Sequence, residues 1–346
     1  MCFKDGANNI RCDAWVSLYP NGVLAEGCLR DPSWIHSLVV SSNQSIFNQH
    51  IYIDLPTLKL KFIRNITHGS FGFIDLASLE TEYGAKEVYV KRPIHPGKSL
   101  FYEACIQKAV GKSLEKIGFP TGAPKVVRLF SLRDKSVCFA MDVVEGSCTL
   151  DKYLESVPPA MLSRVIIDCL LQLCAMIYHL HSVLGMNHRD LKPSNFLIVV
   201  HETPVRKVLR IEREIIEIMS SYSLTLIDFG FSCIGSVTTQ KADVSFSTVH
   251  EKDDPCPKEG RDLFLFAGFL YASYYDKLPT TLRCLLESWI DQPGANLCKY
   301  IRKDAETSKK WLYFMAANTN IKKFHSSPIR IVTDLNTFLE KSAQQS

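Results

Sequence analysis

Eight consecutive residues, His188-Arg189-Asp190-Leu191-Lys192-Pro193-Ser194-Asn195, place an acid two positions before a lysine and five before an asparagine. Moving a phosphoryl group onto an alcohol needs few groups, held close together. An acid must orient the hydroxyl and accept its proton, and metal ions must neutralise the phosphate oxygens. Asp190 is the candidate for the first task and Asn195 for the second. Downstream, the apolar run Thr225-Leu226-Ile227 leads into Asp228-Phe229-Gly230, so a second carboxylate arrives at a strand end. A polar loop that matches by accident is the competing reading for either motif alone. Their order along one chain speaks against coincidence.

Together these stretches resemble the catalytic loop and the D-F-G segment of the eukaryotic protein kinases. The resemblance implies an α+β class, a two-lobed protein-kinase-like fold with a small antiparallel-sheet lobe and a mostly helical large lobe. It implies ATP as the phosphoryl donor and Mg2+ as the metal. Asp190 would orient the acceptor hydroxyl, Lys192 would neutralise the transferred group, and Asn195 and Asp228 would hold Mg2+. Lys192-Pro193 looks like the serine/threonine branch, hence a protein substrate offering Ser or Thr. The likeness runs well from about Lys61 to Phe269 and loosely beyond. It sets residues 1–55 apart as an extension and 56–346 as the domain. The small lobe would cover about 56–143 and the large lobe about 147–346.

The elements that must position these groups follow from pattern. Alternating Leu58, Leu60 and Phe62 lead into Ile66-Thr67-His68-Gly69-Ser70-Phe71-Gly72-Phe73-Ile74, which resembles a glycine-rich phosphate loop with Thr67 in place of its first glycine. By that likeness Gly69, Ser70, Gly72 and Ile74 would contact the nucleotide, since glycine lets backbone N–H groups approach phosphate oxygens. A plain hairpin turn is the alternative. Val88-Tyr89-Val90-Lys91 occupies the place of the V-A-I-K strand, so Lys91 would pair with phosphates. Tyr89 departs from the small residue expected there and would crowd the adenine. Phe101, Cys105 and Ala109 recur at fourfold spacing, giving a helix over Ser99 to Glu115. Glu103, near its start, is the candidate partner of Lys91, with Glu115 the alternative. Two further strands end in Met141-Asp142-Val143-Val144-Glu145-Gly146, which resembles the segment joining the lobes. By that alignment the Asp142 carbonyl and the Val144 amide would read the adenine edge.

Helices are expected over about Leu150 to Glu155 and Pro159 to Val183, with His179 and His181 structural. Residues 201–222 carry Ile211, Ile215, Ile216 and Met219 as a helical stripe, which predicts an inserted surface helix. The polar stretch from Phe231 to Gly260 fits an activation segment, on which Arg189 would meet a phosphate. No A-P-E follows it. Asp262 opens an apolar helix and would tie back to the catalytic loop. Helices close the chain over Thr280 to Ile290 and Pro328 to Ser342.

Composition narrows the rest. The 346 residues and 46% hydrophobic content suffice for a full core. A net charge of +4 is too small to argue for nucleic acid or membrane as a partner. The twelve cysteines include no C-x-x-C pair and read as reduced thiols. With no apolar leader at the N-terminus, this predicts a cytoplasmic or nuclear setting. The apolar run from Val165 to His181 contains Asp168 and Gln172 and reads as a buried helix. Oligomeric state is not encoded in any motif. The reading is a phosphotransferase of a lineage that has drifted far, as kinases of large DNA viruses have. A pseudokinase or scaffold competes, motivated by Tyr89, Thr67 and the missing A-P-E. A small-molecule kinase of the choline or aminoglycoside type also competes, and Lys192-Pro193 and Gly230 point away from it.

Overall fold

The computed structural model describes residues 3–4, 10–11, 52–55, 58–68, 72–81, 84–131, 136–235, 242–245, 254–291 and 296–343. Most of the N-terminal extension therefore lies outside the described residues. The chain divides into two units, residues 1–113 with 123–145, and residues 114–122 with 146–346.

In the first unit, period-2 alternation builds a six-stranded antiparallel sheet. Its strands are β1 (Tyr52–Leu55), β2 (Leu58–His68), β3 (Gly72–Thr81), β4 (Gly84–Pro93), β5 (Val126–Ser131) and β6 (Val137–Asp142). They lie in the order β1-β2-β3-β4-β6-β5. Successive side chains of β4 go to opposite faces. Val88 and Val90 pack with Leu60, Phe62, Ala77, Phe130 and Ala140 on one face. On the other, Tyr89 joins Val126, Leu129, Phe139 and Met141 beneath helix α1 (Phe101–Glu115), which contributes Ala104 and Cys105. Fully burying a Val, Leu or Phe stabilises by about 1.5–3 kcal/mol, so each face holds the sheet strongly.

The second unit begins with β7 (Ser147–Thr149), α2 (Leu150–Ser156) and α3 (Pro159–Leu184). Proline at the start of α3 costs no helical hydrogen bond. Gly185 ends it at φ 58, and a Cβ there would stand 1.9 Å from the Gly235 carbonyl oxygen, so only glycine fits. By length and composition α3 could cross a membrane, but most of its apolar window is buried inside the protein, as a core helix requires. Next come β8 (Met186–Asn187), β9 (Phe196–Ile211), β10 (Glu214–Leu226), β11 (Cys233–Gly235) and β12 (Ala242–Ser245). Helices α4 (Arg261–Tyr274), α5 (Thr280–Ile290), α6 (Leu297–Lys303), α7 (Ala305–Ala317) and α8 (Pro328–Ala343) complete the unit.

Two expectations fail here. Residues 201–222 form no helix; they lie in the antiparallel ribbon of β9 and β10, paired from Phe196–Leu226 out to Ile211–Glu214. Val199, Val200, Val205 and Val208 favour a pleated ribbon over a helix. Leu209 and Ile211 are buried while Ile215 and Met219 stay exposed, which is the alternation of a strand pair. The cysteines are not all reduced either: Cys233 and Cys256 form a disulfide with Cα atoms 6.3 Å apart. A single local bridge among the described residues leaves no spacing pattern for sequence reasoning to find.

Candidate active site

The octet is held by a carboxylate 72 positions beyond Asp190. Asp262, at the first turn of α4, accepts hydrogen bonds from the Asn187 side chain at 3.1 Å and from the backbone N–H of His188 at 2.9 Å and of Arg189 at 2.8 Å. These bonds keep Arg189 at φ 68. Left-handed backbone at a non-glycine residue costs on the order of 1–3 kcal/mol and survives only where its surroundings fix it. The His188 ring meets the Ile227 carbonyl at 3.1 Å and packs on Phe229, joining the octet to the D-F-G stretch.

Asp190 is 4% exposed. Lys192 Nζ lies 3.0 Å from both of its carboxylate oxygens, and Asn195 Nδ2 donates to Oδ2 and to the Asp190 carbonyl at 2.8 Å each. Asp228 reaches the same place through the ribbon. Phe196 pairs with Leu226, and the Ile227 N–H donates to the Asn195 carbonyl at 3.1 Å. The register thus sets Asn195 beside the residue preceding Asp228. Asp228 itself stands at φ 65, a second non-glycine residue in the left-handed region.

The first unit carries a separate set. Lys91 and Glu103 form a buried ion pair. Ile74 pairs with Lys91 across the strands and so shares its face. Tyr89 also shares that face, half-buried against the cluster that includes Met141, its cross-strand partner. A Cβ on Gly72 would come within 2.7 Å of the Arg92 carbonyl oxygen, so β3 and β4 approach too closely there for any side chain. Gly69 and Ser70 lie outside the described residues. Asp142 ends β6, with its N–H bonded to the Lys125 carbonyl at 2.9 Å and its side chain 2.9 Å from Lys86. Val144 lies two residues further on, half-buried.

Three arrangements escaped sequence reasoning. The hydroxyl of Tyr313, on α7, donates to Asp190 Oδ1 and receives Lys192 Nζ at 3.2 Å. Burial, then the charges of Asp190 and Asp228, push this phenol well above its ordinary value, so it stays protonated. Second, Arg189 meets a carboxylate where a phosphate was expected. Asp254 Oδ2 lies 3.0 Å from Arg189, while its Oδ1 faces Lys258 at 3.1 Å and pairs with Arg261. Burial and the Arg261 charge lower Arg189 to about 10 and Lys258 to about 8. Third, Asp75 and Arg92 form a buried pair in the first unit, with Asn65 donating to Asp75 at 2.8 Å. Tyr313 is 123 positions from Asp190 and Asp254 is 65 from Arg189, so only folding brings these partners together.

The donor set suits Mg2+, which takes hard oxygen ligands and uses one or two carboxylates together with substrate phosphates. Asn195 spends its amide nitrogen on Asp190, which leaves its oxygen as the end that can meet a cation. Asp228 supplies a second carboxylate, whose charge, like that of Asp190, raises the Tyr313 phenol.

A six-stranded antiparallel sheet carrying a buried lysine–glutamate pair, and a mostly helical unit carrying the acid–lysine–asparagine loop, are the marks of the α+β protein-kinase-like fold. Residues 156–253 match the family model described as poxvirus serine/threonine protein kinase. The chain is also 28% identical over 191 residues to the serine/threonine-protein kinase/endoribonuclease IRE1 of Oryza sativa subsp. japonica, a match covering 49% of this chain. It spans only 20% of that relative's length. Among solved structures, it is similar to the BubR1 kinase domain, with a TM-score of 0.47 and 16% identity over 96% of this chain and 94% of that one. It is also similar to vaccinia related kinase 3, with a TM-score of 0.44 and 14% identity over 84% and 92%. In sequence the chain is thus similar to protein kinases, over the stretch that carries the octet and Asp228 in the family model's case.

Proposed function

We propose that the chain is a serine/threonine protein kinase, transferring the γ-phosphoryl of ATP to protein hydroxyls. The observation that carries this reading is the buried Asp190 carboxylate, gripped by Lys192 and Asn195 within one loop whose end is bonded to the residue before Asp228. A carboxylate so fixed can orient a hydroxyl and take its proton as the new O–P bond forms. Lys192 is placed to offset the negative charge spread over the phosphoryl oxygens. Lys91, aligned by Glu103, would hold the donor's phosphates. Bound Mg2+ would neutralise phosphate oxygens, with Asn195 and Asp228 as its protein ligands. The serine/threonine wording of the matched family and of the rice relative supports the choice of acceptor.

The test is incorporation of labelled phosphate from ATP and Mg2+ into casein by the full chain, beside an Asp190→Asn control. Loss of the general base lowers rates by about a hundredfold or more, and chelating the metal abolishes incorporation. Equal signals from the two proteins would leave a nucleotide-binding scaffold as the better description.

A further inference from the structure

We propose that Tyr313 occupies the acceptor position of this site, so that a substrate hydroxyl binds only by displacing the phenol from Asp190. The inference rests on the phosphotransferase reading above and deepens it. An ionised carboxylate offers about four lone-pair sites. Among the described residues the Asp190 carboxylate has four contacts: Lys192 on each oxygen, Asn195 on Oδ2 and Tyr313 on Oδ1. Lys192 and Asn195 belong to the octet and must stay. Tyr313 comes from 123 positions away and is the one donor that is itself a neutral hydroxyl.

The phenol also matches an acceptor in its second contact, since its oxygen receives Lys192 Nζ at 3.2 Å. It is seated firmly. Its ring meets Phe269 edge-on with centroids 5.5 Å apart. One residue earlier, Leu312 lies so close to Gly268 that a Cβ there would stand 2.5 Å from it, which fixes α7 against α4. A hydroxyl in this position blocks an incoming serine or threonine and equally shields Asp190 from water; Lys192 Nζ is the one phosphate-directed group it is shown to touch among the described residues.

Tyr313→Phe keeps the ring and removes the competitor. A hydrogen bond to a charged group is worth about 1.5–3 kcal/mol, which corresponds to roughly tenfold or more. Casein phosphorylation by the full-length variant should show a KM for casein lowered at least about tenfold, an unchanged KM for ATP, and faster ATP hydrolysis without casein. The variant should also melt at a lower temperature, because Asp190 loses a donor; faster turnover with lower stability is a pairing that a merely structural tyrosine would not give. Circular dichroism checks that the variant is folded, and Tyr313→Leu repeats the test without the ring. An unchanged or raised KM for casein overturns the proposal, as does phosphate on Tyr313 in ATP-treated wild type, which would make the phenol a substrate. If neither wild type nor Tyr313→Phe exceeds Asp190→Asn, the kinase reading itself fails; if wild type exceeds it and Tyr313→Phe gains nothing, only this inference fails.

Discussion

Asp254 faces three buried cations, Arg189, Lys258 and Arg261, all within reach of its two oxygens. Removing one partner of a buried ion pair leaves uncompensated charge and costs about 3–5 kcal/mol. Asp254→Ala should therefore lower the free energy of unfolding in urea by about that amount, whereas Glu306→Ala, whose partner Lys309 is on the surface, should change it by well under about 1 kcal/mol. Because Arg189 already holds a carboxylate, its side chain is committed within the fold. The residues legible in the sequence were those sharing one short motif: Asp190, Lys192 and Asn195 are within six positions, so their chemistry shows in their spacing. Tyr313 and Asp254 were not legible. A tyrosine on an amphipathic helix and an aspartate in a polar segment carry no local mark of a distant partner.

At the level of elements, the β9–β10 ribbon does the joining that brings Asn195 and Asp228 together, and it was the one element misread. Its turn is Glu212-Arg213, with Glu212 at φ 54. Tight hairpins normally announce themselves with Asn-Gly or a similar pair; a glutamate in that conformation gives no such signal, and the isoleucine spacing then favours a helix. The other long elements carried their period plainly, α5 over Thr280–Ile290 and α3 over Pro159–Leu184 among them. In the last turns of α3, half-buried His181 has an enclosed Nε2 with no hydrogen-bond partner among the described residues. Burial lowers its pKa from 6.5 despite the opposing pull of Asp262 and Glu259. The unfolded chain then takes up a proton before the folded one does, so stability is retained above about 6.5 and lost as pH falls through that value. Thermal melts between pH 7.5 and 5.5 should show the decline, and His181→Phe should flatten it.

Across the whole molecule, each unit has its own core: a sheet packed on both faces in the first, and helices around α3 and α4 in the second. The α+β class was legible through the resemblance carried by the octet and the D-F-G stretch, with strand and helix periods placing the elements around them. The Cys233–Cys256 bridge was not, and it changes how the large unit responds to its surroundings. It closes a loop spanning 23 positions, for which constraint of the unfolded chain is worth about 2–4 kcal/mol. Replacing both cysteines with serine should lower the melting temperature, and adding a reductant to the wild type should do the same. The bridge also has a topological consequence. A protease that nicks the backbone once anywhere between these two cysteines frees nothing: the halves migrate as one band on a denaturing gel and part only after thiol treatment.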